Sequence, residues 1–229
     1  MRDSYQKKLK QLSDEVAEMG MFCELTIMKT YQLLVADEEK ETLIDEINRL
    51  EKEIDAKEGA VESVSMQLLL KQQPVAGDLR RISASLKLVT DLERIGDQAT
   101  DIAEIMSTGS IEAPVEQQEL LDMAKFTMQM VNSCVQAYTG QDAQLAEEVI
   151  DSDDILDEMF LKIRKILNEN LTCRSSDQIL DLLMIAKYYE RIGDHATNVA
   201  EWVEFSANGM HRNGDAVYDI FGTGRPEKI

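Results

Sequence analysis

Glu93-Arg94-Ile95-Gly96-Asp97-Gln98-Ala99-Thr100-Asp101-Ile102-Ala103-Glu104 is the stretch that decides the fold, because the chain contains it twice. The second copy is Glu190-Arg191-Ile192-Gly193-Asp194-His195-Ala196-Thr197-Asn198-Val199-Ala200-Glu201, offset by 97 residues. The copies differ where Gln98, Asp101 and Ile102 become His195, Asn198 and Val199. A repeat this clear predicts two similar units in one chain, each a supersecondary assembly carrying the same acidic pattern. At 229 residues the chain gives each unit enough length to bury a core.

Both copies read as helix. Taking Glu190 as zero and about 100° per residue, Asp194 falls near 40°, Glu201 near 20°, Thr197 near 340° and Asn198 near 80°. Ile185, Tyr188, Ile192, Ala196, Val199 and Val203 fall on the opposite side, between about 160° and 240°. The carboxylates therefore form a stripe facing away from the core. Glu93, Asp97, Asp101 and Glu104 repeat that stripe in the first unit.

The flanking sequence reads as more helix. Leu9, Leu12, Val16, Met19, Cys23, Ile27 and Leu34 recur mostly every three or four residues, which predicts a first helix from Tyr5 to about Val35. Asp37 is a possible N-cap for a second helix running to about Gln73, where Pro74 stops it. The third, with Asp78 as its cap, runs from Leu79 to about Met106. The fourth spans about Val115 to Tyr138, the fifth runs to about Leu171, and the sixth ends near Asn208-Gly209. Short connections make neighbours antiparallel. The expected fold is all-α: two tandem three-helix bundles, over residues 1–110 and 111–212, followed by a tail at 213–229.

A second acidic feature lies one helix before each stripe. Glu51 and Asp55 are four apart, and so are Asp153 and Asp157, at an offset of 102 residues. Like charges four apart cost a helix a few tenths of a kcal/mol per pair, so the clustering calls for a compensating cation. Oxygen ligands from two adjacent helices suit magnesium, calcium, manganese or iron. One such pair alone is an ordinary solvated face in a chain with 44 acidic residues. Its recurrence on matched helices is what points to metal. His195 lies outside the acidic arc and reads as a polar or interface residue, and His211 lies beyond the last helix. Gly96 and Gly193, inside helices, read as points of close helix approach. Trp202 borders the apolar face and reads as core or interface.

Composition narrows the function. A net charge of -20 disfavours nucleic acid and anionic membrane surfaces. Cys23, Cys134 and Cys173 form no CxxC pair and read as buried small residues in a reducing compartment. There is no apolar signal segment and no run of ~18 apolar residues, so a cytoplasmic protein without membrane insertion is expected. No zinc-hydrolase motif, phosphate loop or nucleophile elbow occurs, and no catalytic or organic-cofactor residues are assigned.

The doubled Glu-Arg-Ile-Gly-Asp followed by Ala-Thr-x-Ile/Val-Ala-Glu resembles the PhoU family. So does Lys71-Gln72-Gln73-Pro74-Val75-Ala76-Gly77-Asp78-Leu79-Arg80, which is similar to the family's link into its third helix. Val149-Ile150 followed by Asp153 and Asp157 resembles the family's fifth helix. The resemblance covers about residues 5–208. It implies tandem three-helix bundles in a cytoplasmic accessory protein of the high-affinity phosphate transporter. It further implies repression of the phosphate-starvation response, with the transporter ATPase subunit and a phosphate-sensing histidine kinase as partners. By the same resemblance, Glu51, Asp55, Glu93, Asp97, Asp101, Asp153, Asp157, Glu190, Asp194 and Asn198 hold metal clusters of iron, zinc, manganese or magnesium. Asn198 in place of Asp101 gives the second site one fewer negative charge. A homodimer or higher oligomer is expected, with no sequence feature fixing it. The alternatives are an accessory regulator of another phosphate transporter and a carboxylate-bridged metal-cluster enzyme.

Overall fold

A computed structural model describes residues 2–36, 39–71, 74–108, 114–170 and 175–209. It contains α1 (Arg2–Val35), α2 (Lys40–Lys71), α3 (Ala76–Thr108), α4 (Pro114–Gly140), α5 (Ala143–Asp151), α6 (Asp153–Glu169) and α7 (Ser176–Asn208). Asp37, the 111–113 boundary, Cys173, His211 and the 213–229 tail lie outside the described residues.

The all-α expectation holds, with one helix divided. Periodicity reads the fifth helix as one piece running to about Leu171, whereas the structure steps at Ser152. The Ser152 hydroxyl donates to the Glu148 carbonyl at 2.7 Å, and its N–H donates to Val149 O at 3.1 Å. A serine that bonds back one turn bends a helix in this way. Asp78 is also not a cap: α3 begins at Ala76, Leu79 N–H reaches Val75 O at 2.9 Å, and Asp78 sits in the first turn. Asp142 does cap α5, accepting from Gln144 and Leu145 N–H at 3.1 Å each. Gly209, with φ of 77°, terminates α7 in the left-handed conformation that glycine adopts without strain.

α1, α2 and α3 pack together, and α4 through α7 form the second group. α3 against α7 and α1 against α4 join the two, and one cluster of buried side chains runs through both groups. Apolar burial of this extent dominates the stability of a helical fold, at about 25 cal/mol per Å². Polar contacts cross the seam as well. The buried Tyr189 hydroxyl donates to Thr30 Oγ1 at 2.9 Å, and Asn132 Nδ2 donates to Glu24 Oε2 at 2.8 Å.

The repeat helices α3 and α7 meet antiparallel, through matched positions. Asp91 Oδ1 receives Asn198 Nδ2 at 3.1 Å and lies 2.9 Å from His195 Nδ1. Asp101, which aligns with Asn198, is hydrogen-bonded by Tyr188, which aligns with Asp91. The contact is therefore reciprocal, as a two-fold relation between the units requires. His195 is an interface residue, in line with its position on the helical wheel.

Candidate functional site

Two glycines bring the acidic helices together. A Cβ on Gly96 would lie 2.8 Å from Ile54 Cδ1 of α2, between Glu51 and Asp55 in sequence. A Cβ on Gly193 would overlap Leu156 of α6, between Asp153 and Asp157, and lie 3.6 Å from Met130 Sδ. Each acidic pair is thus carried on a helix that settles onto its repeat helix at the glycine. The expected reading of these glycines as points of close approach is correct.

In the first group, Glu93 is pushed up from its ordinary range by burial, then by the charge of Asp97, against the opposing pull of Arg94; Glu58 and Asp55 add to the rise. Glu51 is raised by burial and then by Asp55 and Asp97. The charges of α2 and α3 are therefore near enough to repel. Glu58 belongs here too, raised by burial and by Glu62 and Asp55, with Thr90 Oγ1 donating to it at 3.5 Å. It continues the α2 stripe three residues after Asp55, a spacing that could have flagged it. Arg94 provides local compensation, with Nη1 2.9 Å from Asp97 Oδ2 and Nε 3.4 Å from Glu93 Oε2. Glu93 Oε2 is nevertheless buried with no hydrogen-bond partner.

In the second group, Asp194 is raised to about 6 by burial, then by Glu190 and Asp153 against the pull of Lys187, with Asp157 adding to the rise. Asp153 is raised by burial and by Asp157, Asp154 and Glu190, offset by a hydrogen bond from Thr197 Oγ1 at 3.2 Å. Glu190 is 9% exposed and is held by Lys187 through both oxygens. Lys187 also lies 5.4 Å from the centre of the Phe160 ring. The sequence reading missed Lys187, whose alignment partner in the first copy, Thr90, carries no charge.

The structure gathers Glu51, Asp55, Glu93 and Asp97 on one side, and Asp153, Asp157, Glu190 and Asp194 on the other. It does not place Asn198 among them. Asn198 is committed to Asp91 across the seam, and Asp101 to Tyr188, with Arg191 close enough to offset its charge. Both residues border their stripes on the helical wheel, and Asp101 stays near enough to Asp97 and Glu104 for their charges to raise it. Among the described residues, no three His, Cys, Asp or Glu side chains converge as placed to grip one ion.

The donor set still fits a hard cation. A buried Glu93 oxygen that accepts no hydrogen bond, and carboxylates raised by burial and mutual repulsion, are what a bound cation would relieve. When bound, the metal would supply positive charge and open coordination positions. Glu51, Asp55, Glu93 and Asp97 would hold one set, and Asp153, Asp157, Glu190 and Asp194 the other.

Comparison with known proteins matches a PhoU domain model to residues 16–106 and again to 120–203. The chain belongs to the PhoU domain family. It is 33% identical over 207 residues to a phosphate-specific transport system accessory protein PhoU homolog of Clostridium acetobutylicum, covering 87% of this chain and 92% of the relative. A homolog with the same description in Synechocystis is 32% identical, covering 91% of this chain and 93% of the relative. The crystal structure of PhoU from Pseudomonas aeruginosa superposes with a TM-score of 0.83 at 25% identity, covering 90% of this chain and 100% of that one. The two matched segments fall on α1–α3 and on α4–α7, and each contains one of the acidic groups.

Proposed function

We propose that this PhoU-domain protein is a cytoplasmic accessory protein of a phosphate transport system and a repressor of the phosphate-starvation response. The observation that carries the reading is likeness over nearly the whole chain to relatives described as phosphate-specific transport system accessory proteins. The matched acidic groups add to it, since they form two similar faces rather than a nucleophile with a base. Among the described residues, no helix is long and apolar enough to cross a membrane.

In this reading the protein is not an enzyme but a metal-bearing adaptor, working as a homodimer or higher oligomer. Its two faces engage the transporter ATPase subunit and a phosphate-sensing histidine kinase. An adaptor shifts a partner's equilibrium only by binding one of its conformations more tightly than another. A tenfold bias needs about 1.4 kcal/mol of differential affinity, well within what one charged face supplies. Deleting the gene in its source organism should give phosphatase expression at high phosphate. Expression that stays repressed at high phosphate would contradict the regulatory role.

A further inference from the structure

Arg81 stands apart from the acidic faces. It lies in the second turn of α3 and turns toward α1 and α4. Its Nη2 donates to Ser13 Oγ of α1. Its guanidinium also reaches the buried Tyr138 hydroxyl of α4, which shares a 2.6 Å hydrogen bond with Ser85 Oγ. The guanidinium carbon sits 6.0 Å from the Tyr138 ring centre. Arg81 Nε is buried with no hydrogen-bond partner. Among the described residues, no carboxylate forms an ion pair with it.

That combination is costly. A guanidinium cannot shed its charge, and its donors form a planar fork that matches an oxyanion. Taking such a group from water without a counter-ion is unfavourable. The chain carries 44 acidic residues against 24 basic ones, so a half-buried arginine lacking a carboxylate runs against composition. The repeat does not demand the charge either, because the aligned position in the second unit is Gln178.

Arg81 lines an open cleft of about 330 Å³ that also presents Gln6, Lys10, Ser13, Asp14 and Thr139. Lys10 and Asp14 pair at the rim at 2.8 Å, with both side chains well exposed. Lys10, Arg81 and the Gln6 amide thus line the cleft from α1 and α3, with Asp14 as the one opposing charge, while the Thr139 hydroxyl of α4 donates to Gln136 O.

We propose that this cleft binds a phosphate-type oxyanion, either free orthophosphate or the phosphoryl end of a small metabolite. Arg81 makes the main contact, and Lys10 turns from Asp14 to close over the ligand. A bound anion would tie α1 and α3 of the first unit to α4 of the second. The site does not depend on the regulatory reading: a deletion strain that stayed repressed would leave it untouched.

Equilibrium dialysis of chelator-treated, full-length protein against radiolabelled orthophosphate, and separately against glycerol phosphate, tests the site without metal-bound phosphate. Arg81→Gln should weaken binding at least about tenfold, the usual scale for a hydrogen bond to a charged group. Lys10→Ala should weaken it about threefold, and Asp14→Asn should tighten it about threefold, as expected for exposed charges. Retention of orthophosphate alone would identify the free ion, and retention of both would identify a phosphoryl group. No retention of either probe at millimolar concentration overturns the proposal. So does unchanged affinity in Lys10→Ala and Asp14→Asn, whose exposed positions leave folding intact even if Arg81→Gln does not fold.

Discussion

Stripped of metal, the protein should unfold at a higher temperature at pH 5 than at pH 7.5, and saturating divalent metal should reverse that order. The sign comes from the acidic groups. Asp194 is raised to about 6 in the fold, from 3.8. A carboxyl group raised on folding contributes stability that is fully present below its unfolded value and is lost as pH rises through its folded value. For Asp194 that loss falls between about pH 4 and pH 6. Glu51, Glu58, Glu93, Asp101 and Asp153 are raised in the same direction. Glu46 opposes them, lowered by its hydrogen bond and charge contact with Lys29, but it is one residue against six.

Metal binds the deprotonated carboxylates, so its benefit is greater at pH 7.5 than at pH 5. At one hundred times its dissociation constant a ligand stabilises the fold by about 2.7 kcal/mol. For a chain of this size that raises the unfolding temperature by roughly 5–10 °C. Asp194→Asn should raise the metal-free unfolding temperature at pH 7.5 and flatten its pH dependence. Thermal unfolding followed by circular dichroism, with chelator or metal at both pH values, reads all of this. A metal-free protein that is less stable at pH 5, or that metal stabilises equally at both, would contradict it.

Gly20→Ala should cost about 1–2 kcal/mol and lower the unfolding temperature by a few degrees. Alanine is the better helix former by about 1 kcal/mol, so on propensity alone the change would stabilise α1. Packing reverses the sign. A Cβ there would overlap Val135 of α4, with Cγ1 at 2.8 Å and Cβ at 3.1 Å. Valine is branched at Cβ and cannot swing both methyls away, so the backbones of α1 and α4 must separate. Those helices are one of the two seams joining the units. Gly59 supplies the contrast, with nothing within 4 Å of the added atom, so Gly59→Ala should stabilise by up to about 1 kcal/mol. Denaturant unfolding of the two variants gives opposite signs if packing governs. Equal stabilisation would show that the α1–α4 seam yields freely.

The contrast also shows what sequence can and cannot carry. Helix positions were legible because apolar residues three and four apart report burial wherever the partner lies. The acidic pairs were legible because the chain states them twice. Gly20 was not, since its reason is Val135 on another helix, far along the chain. The seam hydrogen bonds of Asp101 and Asn198 were not legible on the same ground. Angle on a helix says which face a residue occupies, and only the packing of α3 against α7 says that Asp91 and Tyr188 wait there. Ser152 bends its helix through a hydroxyl hydrogen bond that periodicity does not register. Lys187 and Arg94 were overlooked as compensating charges because a basic residue one turn from acids also reads as solvated surface.

The central claim is that the two groups, Glu51, Asp55, Glu93 and Asp97 on one side and Asp153, Asp157, Glu190 and Asp194 on the other, are ligand sets rather than solvated faces. Elemental mass spectrometry of the untagged protein, beside a Glu93→Gln/Glu190→Gln variant, tests it most directly. The account predicts stoichiometric metal in the wild type, as isolated or after reconstitution with iron, manganese, zinc or magnesium, and its loss in a variant that remains folded. A wild type that takes up none of these metals, or a variant that holds as much as the wild type, would contradict it.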